Sequence, residues 1–143
     1  MSIKIVIIGS TGKLGVKLLN FLGANSIKIL CATCYKNKKK LLLQRDKYKI
    51  KNCFSLINKI DQNKFVKFLE QNIDIIYFLD YGSLSLKYLN HFLKFNRNSV
   101  IAIANKEMII AGGSLLHSKL KKTNSLFIPL DSEHFSLTNS KIN

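Results

Sequence analysis

Short apolar runs alternate along this chain with longer segments in which apolar residues recur at helical spacing. Runs rich in β-branched and other apolar side chains predict strands buried on both faces of a parallel sheet. These runs are residues 3–8, 27–34, 73–79, 99–104 and 125–128, the last of them just before Pro129.

Segments of helical spacing follow these strands. The first carries an apolar stripe at Val16, Leu18, Leu19 and Leu22 and is predicted to end at Gly23, because glycine is favoured after helices. The other predicted helices are residues 61 or 62 to 71, 84–95 and 106–122, the last with a weak point at its glycine pair, 112–113. Residues 36–60 match neither pattern. The alternation predicts an α/β fold, a Rossmann-like doubly wound parallel sheet with helices on both faces.

Composition limits the classes of function. The chain has 143 residues, the size of one ordinary domain, and a net charge of +15. Of its 23 cationic residues only Arg45 and Arg97 are arginine, and the lysines are scattered, so we expect no nucleic-acid partner. The apolar run at residues 5–8 is too short for a signal peptide or a membrane span, which predicts a cytoplasmic protein without a membrane partner.

The cysteines are not expected to do redox chemistry. Cys31, Cys34 and Cys53 are an odd number in a chain without a secretory signal, so no disulfide framework is predicted. Cys31 and Cys34 have redox spacing, but residues three apart on a strand face opposite sides of the sheet. We also expect no helix amino terminus after them that would lower a thiol pKa.

The first motif with chemical content is the glycine turn of residues 9–15, Gly-Ser-Thr-Gly-Lys-Leu-Gly, between the first strand and the first helix. Gly9 and Gly12 allow a sharp turn and a close approach to a pyrophosphate at the helix amino terminus, and Gly15 allows close packing of helix on sheet. The alternative is a tight turn without a ligand. The position of the motif favours a dinucleotide site.

The segment after the second strand bears on which dinucleotide binds. An acidic residue in this place would accept the ribose hydroxyls of NAD, but here the chain has Lys36 and Asn37, followed by further lysines. Lysine attracts a 2′-phosphate and asparagine can donate to it. NADPH is therefore predicted over NADH. The alternative, a solvated lysine run that starts the next helix, can hold for residues 38–40 while Lys36 and Asn37 still contact phosphate.

Two later motifs follow predicted strands. Asn105-Lys106-Glu107 comes after the run at 99–104, and Asp131-Ser132-Glu133-His134 comes after Pro129. Both lie at the carboxyl ends of strands, where open α/β sheets bind ligands. Together with the glycine turn and the Lys-Asn pair, this order closely resembles the 1-deoxy-D-xylulose-5-phosphate reductoisomerases. The chain departs from that pattern at Tyr35, where the family usually has glycine, at Lys13, which replaces a small residue, and at Phe135.

The resemblance implies an NADPH-dependent enzyme of isoprenoid synthesis that converts 1-deoxy-D-xylulose 5-phosphate to 2-C-methyl-D-erythritol 4-phosphate with Mg or Mn. It assigns cofactor contacts to Gly9, Thr11, Gly12, Lys13, Leu14, Lys36, Asn37, Asn105 and Glu107. It assigns substrate contacts to Lys106, Ser132 and Glu133, metal ligands to Asp131 and Glu133, and catalytic roles to Lys106 and Glu133. From the residues alone, Asp131 and Ser132 also suit a helix cap.

The same resemblance implies the organisation of the chain. Residues 1–129 would form the NADPH-binding domain and residues 130–143 the start of a catalytic domain, so that the polypeptide is expected to be inactive alone. A phosphosugar is the expected substrate, and a homodimer is expected of full-length family members rather than of this fragment. The alternatives are a stand-alone NADP-binding or regulatory module and an unrelated small Rossmann reductase.

Overall fold

A computed structural model describes residues 2–130. Within them six parallel strands, each four residues long, are ordered β3-β2-β1-β4-β5-β6. The strands are β1 (Ile5–Ile8), β2 (Cys31–Cys34), β3 (Asn52–Ser55), β4 (Ile75–Phe78), β5 (Val100–Ile103) and β6 (Leu126–Pro129). The helices are α1 (Lys13–Ala24), α2 (Lys38–Tyr48), α3 (Lys59–Phe68), α4 (Leu86–Phe95) and α5 (Lys106–Lys122). The predicted Rossmann-like fold is confirmed.

The sheet is buried on both faces, because alternate side chains of each strand enter different cores. Ile5 and Ile7 of β1 pack with Leu18, Leu19 and other residues of α1 and α2. The intervening residues of β1 enter a second core, with α3, α4 and α5. Helices therefore cover both faces, as the continuous apolar runs predicted.

Asparagine side chains cap the amino termini of three of the helices. Asn37 accepts from the N–H of Lys40, Asn58 from that of Asp61, and Asn105 from that of Met108. Each bond satisfies one of the N–H groups that a first helical turn leaves without a partner. The bounds of α5 match the prediction, and Gly113 breaks its geometry with φ of 51° at the predicted weak point.

The stretch without a predicted type, residues 36–60, contains α2 and β3. In α2 the apolar residues are adjacent in sequence, and its buried residues are Leu41 and Gln44, so the helix has no apolar stripe. β3 lies at the sheet edge and three of its four residues are partly exposed. Neither element has the pattern that a buried strand or an amphipathic helix produces.

Several predicted strands were too long. β1 begins two residues later and β2 four residues later than the apolar runs suggested. Ile29 is buried although it precedes β2, so apolarity continues beyond the hydrogen-bonded ladder. No helix within residues 2–130 is long and apolar enough to cross a membrane.

Gly15 is the residue that brings α1 against the end of β1. A Cβ atom at this position would lie 2.4 Å from the carbonyl oxygens of Gly9 and Ser10, closer than any real Cβ contact. These are main-chain atoms, so the clash cannot be relieved by a side-chain rotation. Helix and turn can pack at this distance only because residue 15 lacks a side chain.

Gly15→Ala is therefore expected to destabilise the fold by about 1–3 kcal/mol or more, the usual cost of overpacking. Chemical denaturation of the parent and the variant measures this difference. Gly12→Ala is the matched control, because a Cβ atom there would meet only the Gly9 carbonyl oxygen, at 3.9 Å. Equal losses in the two variants would contradict the packing argument.

Candidate dinucleotide-binding site

The turn between β1 and α1 lies at the carboxyl edge of the sheet, where the strand order reverses between β1 and β4. Gly9 has φ of +88°, and a Cβ atom on it would lie 2.8 Å from the backbone nitrogen of Asp80. The N–H groups of Gly9 and Ser10 both donate to the carbonyl oxygen of Thr33, at 3.1 and 3.0 Å. The turn is thus fixed against the ends of β2 and β4. Open α/β sheets bind ligands at such a switch point.

The amino terminus of α1 is open to an anion. Its N-cap is Gly12, which offers no capping side chain, and the first turn contains no acidic residue. Within residues 2–130 the N–H groups of Thr11 and Gly12 make no hydrogen bond. Unpartnered N–H groups and the positive end of the helix dipole attract phosphate oxygens. The turn therefore has the donors and the space that a pyrophosphate requires.

A cleft of about 660 Å³ lies beside this turn. Its walls are mainly apolar, and Asp80 and Lys87 are the charged residues among those that line it. The lining residues are Ile8, Gly9, Thr11, Gly12, Thr33, Cys34, Tyr35, Leu56, Gln62, Leu79, Asp80, Tyr81, Leu84, Ser85, Lys87 and Tyr88. The size and character of the cleft suit a flat aromatic group with a polar tail.

A smaller cleft of about 210 Å³ lies between the amino termini of α1 and α5. It brings together Leu14 and the Asn105-Lys106-Glu107 motif. Leu14 and Asn105 are 91 residues apart in sequence. Asp80 and Tyr81 line both clefts. The two clefts therefore adjoin at the end of β4.

Within residues 2–130, the cofactor and substrate contacts predicted from the sequence lie in two clefts and on the exposed surface beside them. Gly9, Thr11 and Gly12 line the larger cleft, and Leu14 with Asn105, Lys106 and Glu107 lines the smaller one. Lys13 is exposed on the first turn of α1.

Lys36 and Asn37 lie next to Tyr35, at the rim of the larger cleft, and both are exposed. Asn37 caps α2, which begins at Lys38. This confirms the interpretation in which residues 38–40 start a helix.

Asn105 is almost fully buried and its side-chain amide is engaged within the chain. Its oxygen accepts from the N–H of Met108 at 3.1 Å, and its nitrogen donates to the carbonyl oxygen of Gly82. Asn105 thus joins the start of α5 to the loop after β4. Its neighbours Lys106 and Glu107 are exposed and remain open to the smaller cleft.

Asp80 is a site residue that the sequence patterns missed. Burial raises the pKa of its carboxyl group, and a hydrogen bond from the Ser85 hydroxyl opposes this shift. Its other oxygen, Oδ1, is buried without a hydrogen bond in the described part of the chain. The available signal was its position directly after a buried strand, where α/β sheets carry functional residues.

The cysteines give one correction. A helix does begin four residues after Cys34, contrary to expectation. Burial nevertheless raises the pKa of Cys31 and of Cys34, and it raises that of Cys53 to about 11. Cys31 and Cys34 enter opposite cores, as predicted. The thiols of this sheet are therefore weak nucleophiles.

The proposed metal ligands Asp131 and Glu133, and Ser132 between them, lie outside the described residues. Within residues 2–130 no group of three or more His, Cys, Asp or Glu side chains could hold a metal ion. A metal role for the Asp-Ser-Glu motif stays a prediction from sequence.

Comparison with known proteins identifies relatives across nearly the whole chain. A 1-deoxy-D-xylulose 5-phosphate reductoisomerase from Pelagibacter ubique is 37% identical over 156 aligned residues, covering 94% of this chain and 39% of the relative. The reductoisomerase from Zymomonas mobilis in complex with NADPH superposes with a TM-score of 0.79, at 19% identity, over 94% of this chain and 40% of that one.

Another solved reductoisomerase, in complex with NADPH, fosmidomycin and magnesium, has a TM-score of 0.77 at 20% identity. It is matched over 92% of this chain and 37% of its own length. No protein-family profile matches the chain. The chain thus spans about 39% of the length of the curated relative from Pelagibacter ubique.

The fold and the open glycine turn define a Rossmann-type α/β domain. Over 94% of its length the chain is similar to 1-deoxy-D-xylulose 5-phosphate reductoisomerases, and it matches about two fifths of their length, as an amino-terminal fragment of such a protein would. This similarity favours a relationship to the reductoisomerases over an unrelated small Rossmann reductase, one of the alternatives left open by the sequence.

The buried carboxylate of Asp80 gives stability a dependence on pH. Its pKa in the folded chain is raised, whereas an unfolded Asp has a pKa of about 3.9. The folded form then binds the proton more tightly, so the stabilising contribution is fully present below pH ~3.9 and is lost as the pH rises through the folded pKa.

The Asp80→Asn variant has no carboxyl group to ionise at this position. Its free energy of unfolding should therefore rise relative to that of the parent as the pH is raised from about 4 to 8. Melting curves of both proteins across this range measure the difference. Asp46→Asn removes an exposed carboxylate paired with Arg45 and serves as the control. Parallel pH curves for Asp80→Asn and the parent would contradict the argument.

Proposed function

We propose that this chain is the NADPH-binding part of a reductoisomerase that converts 1-deoxy-D-xylulose 5-phosphate to 2-C-methyl-D-erythritol 4-phosphate in non-mevalonate isoprenoid synthesis. The observation that carries the proposal is the open amino terminus of α1, with the unpartnered N–H groups of Thr11 and Gly12 beside a cleft at the switch point. The relationship to the reductoisomerases supplies the reaction.

In this proposal the pyrophosphate of NADPH lies at the glycine turn. Thr11 and Gly12 donate main-chain N–H groups to it, Lys13 adds a positive charge from the first turn of α1, and Leu14 faces the nicotinamide side. The adenosine occupies the larger, apolar cleft. The cofactor supplies the hydride that reduces the aldehyde formed when the carbon skeleton of the substrate rearranges.

The 2′-phosphate of the adenosine lies at the start of α2, near Lys36 and Asn37. The first turn of this helix contains Lys38, Lys39 and Lys40 and no acidic residue. Lysines at the positive end of a helix dipole are unfavourable by themselves. A bound phosphate relieves this repulsion, so the arrangement favours NADPH over NADH.

The substrate meets the cofactor at the smaller cleft, where Lys106 is exposed at the start of α5. An ammonium group there neutralises charge on substrate oxygens, which is the catalytic and binding role we assign to Lys106. Glu107 accepts from cofactor hydroxyls in the same cleft. Asn105 acts indirectly, by fixing the loop after β4 that separates the two clefts.

The metal part of the proposal rests on sequence. Asp131 and Glu133 would hold Mg or Mn, since hard cations prefer carboxylate oxygens, and Ser132 would bind the substrate. Glu133 would also act in catalysis, and the metal ion would supply a Lewis acid there. The same proposal includes a boundary between a binding domain at residues 1–129 and a following domain. It also includes a cytoplasmic location and, for full-length relatives, a homodimer.

Lys36→Glu tests the cofactor preference. Replacing attraction to the 2′-phosphate by repulsion should change the ratio of NADPH to NADH affinity by about tenfold or more, roughly 1.4 kcal/mol, and invert the preference. Calorimetric titration with both cofactors measures the ratio. Lys47→Glu makes the same charge change in the last turn of α2 and should leave the ratio unaltered. Equal affinity of the parent for NADPH and NADH would contradict the proposal.

Gly12→Val tests the glycine turn. The backbone of Gly12, with φ of −79° and ψ of 178°, is one that valine adopts, and the space around its Cβ position is open. The variant should therefore fold normally, while its branched side chain fills the space that the pyrophosphate needs and abolishes NADPH binding. Binding followed by NADPH fluorescence, with circular dichroism to verify folding, measures both. A folded variant with unchanged affinity would refute the assignment of the turn.

A further inference from the structure

The middle of α2 carries a buried side-chain amide that makes two hydrogen bonds to one residue of the glycine turn. Gln44 is 7% exposed and Ser10 is fully buried. The Ser10 hydroxyl donates to Oε1 of Gln44 at 2.8 Å, and Nε2 of Gln44 donates to the carbonyl oxygen of Ser10 at 2.9 Å. The pair links two segments that are 34 residues apart in sequence.

The second of these bonds fixes the orientation of a peptide group in the turn. A trans peptide is planar, with its C=O and N–H pointing in opposite directions. Because the carbonyl of Ser10 points to Gln44, the N–H of Thr11 must point away from α2. That N–H has no partner within residues 2–130, and Thr11 lines the larger cleft.

The same pair joins the two places where phosphate groups would bind. Ser10 lies between Gly9 and Thr11 in the turn, and Gln44 lies on the helix that begins next to Lys36 and Asn37. The distance between the pyrophosphate donors and the start of α2 is therefore held by a polar contact in the core as well as by apolar packing.

A purely structural role would not require an amide here. Replacing buried hydrogen-bonded groups by apolar groups of the same shape can be nearly neutral for stability. An apolar residue would also fix α2 on the sheet, but it would leave the orientation of the Ser10 peptide free.

We propose that Gln44 is a positioning residue for cofactor binding, which holds the Ser10 peptide so that the Thr11 N–H faces the pyrophosphate of the dinucleotide. The proposal rests on the proposed function of the chain. The pyrophosphate is common to NADPH and NADH, so Gln44 controls the affinity for both and not the choice between them.

Gln44→Met is the most direct test, because methionine matches glutamine in length and flexibility and removes both hydrogen bonds. The dissociation constants for NADPH and NADH should both rise by about tenfold, corresponding to one charge-assisted hydrogen bond to phosphate. The titrations use residues 1–143, and thermal melting measures the accompanying loss of stability.

Asn96→Leu is the matched control. Asn96 is also a buried amide, with bonds to Ile73, Leu69 and Phe92, but it lies at the amino edge of the sheet, away from the clefts. This variant should lose stability without any change in cofactor affinity. Ser10→Ala, which removes the hydroxyl bonds to Gln44 and to the Thr33 carbonyl oxygen but keeps the bond from Gln44 to the Ser10 carbonyl, serves as a second variant if Gln44→Met does not fold. It should raise the dissociation constants for both cofactors equally, by about two- to fivefold.

The outcomes distinguish failure of the positioning role of Gln44 from failure of the proposed function. Unchanged affinity in folded Gln44→Met overturns the positioning role alone, and so does an equal loss in Asn96→Leu, which would reflect general destabilisation. A change in the ratio of NADPH to NADH affinity also contradicts it. If the parent binds neither dinucleotide, the proposed function fails, and the role of Gln44 fails with it.

Discussion

The close approach of bare main chain at the end of β1 is the constraint on which the rest of the site depends. A side chain on Gly15 would overlap two carbonyl oxygens of the turn, and one on Gly9 would overlap the backbone of Asp80. With both side chains absent, α1 begins at the edge of the sheet and points its amino terminus across the switch point. The helix dipole and the free N–H groups are then available at the place where the sheet opens.

Buried polar groups, both main-chain and side-chain, fix the loops around this turn. Thr33 accepts two N–H groups of the turn through its carbonyl oxygen, and Gln44 holds Ser10 from the side of α2. Asn105, at the smaller cleft, likewise joins the start of α5 to the loop that contains Gly82. Each contact uses main-chain atoms, so it fixes the path of a loop irrespective of most of the side chains in that loop.

The sequence predicted those features that depend on a regular pattern. Continuous apolar runs identified β1, β4 and β5, and the glycine turn was found because its spacing and its place after a strand are both characteristic. α2 and β3 were missed because neither has a periodic apolar face, and Gln44 was missed with them. Asp80 becomes a site residue only through the fold, which brings the end of β4 between two clefts formed by distant segments.

Two arrangements that break local rules of electrostatics and hydrogen bonding lie at the carboxyl edge of the sheet. Three lysines occupy the positive end of α2, and within residues 2–130 Asp80 has the buried side-chain oxygen that lacks a hydrogen bond. At the amino edge, by contrast, buried Asn96 and Ser99 have partners. Each violation costs stability in the isolated domain. Violations of this kind are retained where a ligand uses the groups concerned, so their concentration around one cleft is evidence for function that is independent of the glycine motif.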